Sequence, residues 1–201
     1  MAVDAVEERR RELYDFKKLQ ILRTAEAVFS EHGLEGTSLR AIAKAAGYTA
    51  PAIYTYYRTK EELYGEIIRR SLDELRSRID ELATAGDPET VLRDALFAYY
   101  AYYRDHPHQL DLGLYLFSGA RPAGITPEID RDLNRRFKGI VDRLAAYYDD
   151  ARDTGAEAGA TAAAAAVVHA IGIVIMEGTR RLRLLRQDGD ALMRSYVDGL
   201  P

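Results

Sequence analysis

Apolar residues recur at steps of three and four along almost the whole chain. No stretch of four to eight residues alternates apolar and polar positions with β-branched or aromatic enrichment. That pattern restricts the chain to an all-α fold. Phe16, Leu19, Leu22, Ala25 and Phe29 mark a first helix that Gly33 ends. Leu39, Ile42, Ala43 and Ala46 mark a second, stopped by Gly47. Leu63, Ile67, Leu72, Leu75, Ile79 and Leu82 mark a long helix ending near Gly86. Asp87 and Pro88 supply an N-cap and a first-turn proline for the next, which Val91, Leu92, Ala95, Tyr99 and Tyr102 carry to the His106–Pro107 break. A helix over 107–117 precedes a loop at 118–124, and Thr126–Pro127–Glu128 starts another that runs to about Asp150. The spacing then predicts one very long helix from Glu157 to Leu185, its end rich in Arg180, Arg181, Arg183 and Arg186 where cations suit the dipole, and a short last helix. Three compact helices followed by longer, more apolar ones place a small head at residues 12–58 and a larger helical body at residues 59–201.

Composition removes several chemistries. The chain has 201 residues, 47% hydrophobic and 30% charged, which is a globular balance. It has no cysteine, so a disulfide framework, a thiolate zinc site, an iron–sulfur centre and a cysteine nucleophile are excluded. The N-terminal residues are polar and charged, with no apolar signal-peptide core. The one nearly uncharged apolar run, Ala158–Met176, is rich in alanine and holds Thr161 and His169, so it reads as a buried helix rather than a membrane span. A cytoplasmic protein without membrane contact is the expectation. The net charge of −4 conceals an asymmetry: residues 13–60 carry seven Lys and Arg against four Asp and Glu. The head is mildly basic, and the acidic excess belongs to the rest of the chain.

The segment Gly33–Leu63 is the most informative. Thr37 is placed to cap a helix whose inner face is Leu39, Ile42, Ala43 and Ala46, and Gly47 supplies the tight turn. Thr49 caps the next helix, with Pro51 tolerated in its first turn. Ile53 and Tyr57, four apart, face the core. Ala50, Ala52, Thr55 and Tyr56 face outward, and Tyr54 does so in part. A helix-turn-helix of this kind lays its second helix in the major groove. Small Ala50 and Ala52 permit close approach and methyl contact with thymine, while Thr49 and Thr55 suit base edges. Tyr54, Tyr56, Lys60, Arg58, Arg40, Lys44, Ser38 and Thr37 supply the surrounding hydroxyls and charge for phosphates.

These residues resemble the TetR family of transcriptional regulators. The resemblance rests on Gly33, Thr37–Ser38, Ile42–Ala43, Ala46–Gly47–Tyr48–Thr49, Ile53–Tyr54–Thr55–Tyr56–Tyr57 and Thr59–Lys60–Glu61–Glu62–Leu63. Tyr48 stands for the usual small aliphatic residue, Tyr57 for the usual phenylalanine and Thr55 for a frequent basic or aromatic one. The first two are core exchanges, and the third bears on base preference. The resemblance implies a homodimer, paired through its last two long helices, on a pseudo-palindromic operator in double-stranded DNA. It also implies a small-molecule effector in the body that releases a repressor from DNA. Small residues on one face of the long helix, Ala163, Val167, Ala170, Ile171, Val174 and Gly178, are the expected dimer interface, with a monomer core face as the alternative. The expected effector contacts come from Tyr99, Tyr102, Tyr103, Tyr115, Phe117, His169 and Glu177, an aromatic group with two polar members.

No metal and no cofactor are expected. His106 and His108 lack a third ligand at metal spacing. No glycine-rich phosphate loop or serine elbow suggests an enzyme, and the carboxylates alternate with arginines as on solvated helix faces. The competing reading is a helical adaptor that kept the head without operator binding.

Overall fold

The computed structural model describes residues 2–34, 36–83, 86–117, 125–153 and 155–200, with side chains described from residue 6 onward and, in the sixth helix, as far as residue 113. The 118–124 loop and the side chains of Tyr115 and Phe117 therefore lie outside the described residues. Among the described residues there are ten helices and no strand. They are α1 (Ala2–His32), α2 (Leu39–Ala45), α3 (Ala50–Ile53), α4 (Lys60–Leu82), α5 (Pro88–Asp105), α6 (Pro107–Phe117), α7 (Pro127–Arg152), α8 (Ala156–Gly178), α9 (Arg181–Leu184) and α10 (Gly189–Asp198). The all-α expectation holds.

The chain divides into two compact units, with the divisions falling inside α4, α6 and α7. Met1–Arg69 with Asp111–Arg131 form the first, and Arg70–Leu110 with Asp132–Pro201 the second. The first unit buries Ile21, Leu22, Ala25 and Phe29 of α1 with Leu39, Ile42 and Ala43 of α2, then Ile53, Tyr57, Leu63, Tyr64 and Ile67. The Phe29 and Tyr64 rings meet edge to face at 5.3 Å, and the Tyr64 hydroxyl donates to Leu112 O at 2.6 Å. The second unit is built on α5, α8 and α10, which pack on one another. Its core includes Leu92, Ala95, Tyr99 and Tyr102, Ile140 and Leu144, Ala163, Ala166 and Ala170, and Met193.

Local chemistry starts these helices where the sequence indicates. Asp87 accepts from Thr90 N at 3.2 Å with Pro88 next to it, and Asp188 accepts from Ala191 N at 2.9 Å. Each cap satisfies a backbone donor that has no intrahelical acceptor and contributes about 1 kcal/mol.

Three expectations need correction. First, α1 continues back to Ala2, through a charged segment without a core-facing stripe. Phe16, expected in the core, is 58% exposed. Second, the very long helix predicted over 157–185 stops at Gly178. Arg180 sits in the left-handed region at φ 59°, its N–H donates to Glu177 O, and Arg181–Leu184 form a separate short turn of helix. The arginines therefore do not close one continuous dipole.

Third, the face of α8 assigned to a partner is turned inward. Ala163 and Ala170 are 1% exposed, Val167 and Val174 5%, and Ile171 is half-buried; of that set Gly178 is exposed. Gly159 explains why small residues belong on this side. A Cβ there would lie 2.8 Å from Ala145 O of α7, so the backbones touch. The opposite face carries Ala164, Ala165, Val168, Gly172 and Ile175 to solvent, with Val168 70% exposed. α8 is the one helix among the described residues long and apolar enough to cross a membrane, and its other face is covered by α5 and α10.

Candidate nucleic-acid interface

α2 and α3 are joined by Ala46–Thr49. Gly47 adopts φ +75°, where an L side chain is strained, and this reverses the chain within one turn. Tyr48 N donates to Ala43 O at 2.8 Å and Gly47 N to Lys44 O at 3.2 Å, satisfying carbonyls that α2 leaves open. Thr49 is the N-cap of α3 by backbone geometry, with no side-chain cap bond. The regular helix is one turn long, and turns then carry the chain to Tyr57, whose N–H donates to Ile53 O at 3.0 Å. Ile53 is 0% exposed and Tyr57 2%, with Lys18 Nζ 5.4 Å from the Tyr57 ring centroid. These two side chains fix which face of the segment looks inward.

Thr49, Pro51, Tyr54, Thr55 and Arg58 are exposed, and Ala50 and Ala52 are half-buried beside them. From α2 and its cap, Ser38, Arg40 and Lys44 are exposed. Tyr56 is half-buried. Its ring stacks on Tyr14 at 4.9 Å and meets Tyr48 edge-on at 6.2 Å. The Tyr14 hydroxyl donates to Thr55 O, and the Tyr48 hydroxyl to Gln20 Oε1, both at 3.4 Å. α1 therefore braces the exposed segment through Tyr14 and Gln20. Sequence spacing did not select either residue, because both lie on exposed turns outside the core stripe.

Two expected DNA contacts are committed elsewhere. Thr37 is 4% exposed, and its hydroxyl donates to Gly33 O at 2.7 Å. The N-cap of α2 is Ser38, whose Oγ accepts from Ala41 N at 3.2 Å. Thr37 precedes the cap by one residue and points inward. Lys60 Nζ donates to Leu34 O at 2.7 Å and Thr37 O at 3.1 Å, and the residue is half-buried. It ties the loop after α1 to the start of α4. Thr59 and Glu62 close that start: Glu62 N donates to Thr59 Oγ1, and Arg58 N donates to Glu62 Oε2.

In the second unit, Tyr99, Tyr102 and Tyr103 lie together on α5. The Tyr103 ring meets both of the others edge-on at 5.3 Å. The Tyr102 hydroxyl is engaged with Gln109 and Ser71, and Ser71 Oγ donates to Gln109 Oε1 at 2.7 Å. Among the described residues the Tyr99 hydroxyl is buried without a hydrogen-bond partner, and burial pushes its pKa well up. His169 stacks on Tyr196 at 4.2 Å. Its Nε2 is buried without a partner, and burial lowers its pKa. Glu177 is exposed near the Tyr100 hydroxyl, a different setting from the Tyr99 group. Spacing also missed a polar cluster formed by α5 and α10. Arg104 donates to Asp190 at 2.6 Å and Tyr100 to the same carboxylate oxygen at 3.0 Å, which holds Asp190 below the usual carboxylate range. Those partners lie 86 and 90 positions apart in the chain, beyond any local periodicity.

Two short helices, a glycine turn and an exposed second segment clamped by Ile53 and Tyr57 define a helix-turn-helix module. Residues 21–67 match the family of bacterial regulatory proteins, tetR family. The chain is 30% identical over 144 residues to the uncharacterized HTH-type transcriptional regulator YhgD of Bacillus subtilis, a match covering 71% of this chain and 72% of that protein. The chain belongs to this family of transcriptional regulators. It is 43% identical over 82 residues to the HTH-type transcriptional regulator AcrR of Shigella flexneri, covering 38% of this chain and 36% of that one. The fold is shared with AibR, solved in complex with isovaleryl coenzyme A and operator DNA. That likeness has a TM-score of 0.72 at 20% identity over 92% of this chain and 97% of that one.

Proposed function

We propose that this regulator is a repressor that binds a pseudo-palindromic operator as a homodimer and is released by a small molecule held in its body. The DNA-reading head takes residues 12–58, and the regulatory and dimerisation body residues 59–201. One observation carries the reading: Thr49, Tyr54 and Thr55 stand exposed on a segment whose inner side is locked by Ile53 and Tyr57. Ala50 and Ala52 leave the backbone free to approach base edges, with Ser38, Arg40 and Lys44 placed for phosphates. Tyr56 acts mainly as a brace.

The exposed face of α8 is the proposed seat of the second copy. Val168 and Ile175 are exposed there among alanines, and an open depression of about 650 Å³ lies along Gly155–Ala165. An apolar helix face left uncovered among the described residues fits a partner subunit better than solvent. Effector binding is supported by Tyr99 and His169, whose buried polar atoms have no partner among the described residues and would gain one from a ligand's donors and acceptors. The effector is read as a cargo of the body and not a substrate, and the protein as cytoplasmic.

The test is equilibrium binding of the full chain to the DNA upstream of its own gene, against a mixed-sequence duplex of equal length, over a range of salt. Tighter binding to the upstream DNA, with affinity falling steeply with salt, supports the reading. Binding to neither duplex makes the chain a helical adaptor instead.

A further inference from the structure

We propose that the N-terminal turns of α1 form a second, sequence-independent DNA contact, in which Arg9, Arg10 and Lys17 engage phosphates flanking the site read by α3. This rests on the DNA-binding reading above and extends it to residues outside the matched segment, which starts at residue 21.

α1 is 31 residues long, and every residue from Val6 to Phe16 is exposed. Those eleven residues span about 16 Å of helix. A solitary helix of that length is marginal in water and gains most from a partner surface. At 3.6 residues per turn, Arg9, Arg10, Leu13, Lys17 and Gln20 fall in one stripe. None of Glu7, Glu8, Glu12 and Asp15 falls within it, so the stripe is cationic although the segment as a whole is mixed.

The direction of the stripe follows from two contacts. Gln20 lies in it and accepts from the Tyr48 hydroxyl in the turn of the motif. Tyr14 lies at its edge, donates to Thr55 O and stacks on Tyr56. Both partners belong to the segment read as DNA-facing. The stripe is therefore on the side of α1 that meets the recognition segment, and the helix runs on past that segment. A cationic helix face continuous with a major-groove reader meets the phosphates next to the groove, where Arg and Lys neutralise charge without reading sequence. Leu13 and Phe16, 53% and 58% exposed, make a second copy of the chain the competing occupant.

The experiment compares the full wild-type chain with the Arg9→Gln/Arg10→Gln double variant. Affinity for the upstream DNA and for the mixed-sequence duplex is measured across salt, with far-UV circular dichroism and sedimentation on both proteins. Two lost phosphate contacts in each protomer, four in the bound dimer, flatten the salt slope by about 3.6 on both duplexes, with sequence preference, helix content and mass unchanged. A slope equal to wild type overturns the proposal. A loss of mass at unchanged slope also overturns it and assigns the face to a second copy. If the wild-type chain binds neither duplex, the DNA-binding reading fails as a whole, an outcome distinct from equal slopes.

Discussion

Lys60 separates two roles that a basic residue at the end of a helix-turn-helix can take. Its ammonium donates to Leu34 O and Thr37 O, at 2.7 and 3.1 Å, in a half-buried setting. Replacing Lys60 by Met keeps most of the aliphatic stem and removes both bonds. Hydrogen bonds from a charged donor are worth about 1.5–3 kcal/mol when buried. Partial exposure lets water reclaim some of that, so the pair together contributes roughly 2 kcal/mol. For a chain of this size the midpoint of thermal unfolding falls by about 4–8 °C. The assay is melting by circular dichroism at one protein concentration, beside salt-dependent DNA binding at a temperature where both proteins are folded. The structure requires lower stability with an unchanged salt slope. A Lys60→Met variant that melts like wild type and whose slope flattens by about 1.8, one contact in each protomer of the bound dimer, would show that Lys60 spends its charge on a phosphate, and would refute the tie.

Three further outcomes follow from the same geometry. Val168→Asp should split a dimer in sedimentation and leave the protomer helical, whereas Ala170→Arg, at a position 1% exposed, should unfold the second unit; a dimeric Val168→Asp would move the interface off this face. Gly47→Ala places a Cβ at φ +75° with open space around it, so the cost is backbone strain of about 1 kcal/mol, read as a melting point lower by about 2–4 °C; an unchanged midpoint would contradict it. Asp190 is held below the usual carboxylate range by the Arg104 guanidinium first and by the Tyr100 hydroxyl as well. Its contribution is therefore full above the ordinary aspartate pKa and lost as pH falls through the lowered value. Asp190→Asn should be less stable at neutral pH and lose less on acidification than wild type, and parallel acid-unfolding curves would count against the cluster.

The head was legible because its signals are local. Gly33 and Gly47 sit at the two positive-φ positions that end α1 and α2, and Ile53 and Tyr57, four residues apart, share one buried face. The direction of α8 was not legible. Alanine, valine and isoleucine occur all round it, so periodicity could not separate the side covered by α5 and α10 from the side left open. The break after Gly178 was missed because apolar residues resume at Leu182, which kept the spacing going across a left-handed arginine. Lys60 and Thr37 looked like surface groups by type, and only the fold brings the Leu34 carbonyl, 26 residues away in sequence, to the ammonium. The body polar clusters join α5 to α10 over most of a hundred residues, where no sequence spacing applies.

The alanines of α8 have a consequence for how much order its contacts demand. Alanine and glycine have no side-chain rotamers to lose on burial. The inward face, at Gly159, Ala163, Ala166 and Ala170, therefore joins the second unit with almost no loss of side-chain entropy. The open face at Ala164, Ala165 and Gly172 offers a partner the same terms, with Val168 and Ile175 the larger side chains to be immobilised there. Association of the proposed second copy over such a surface would freeze little, so a small apolar area would hold two copies together more firmly than its extent alone suggests.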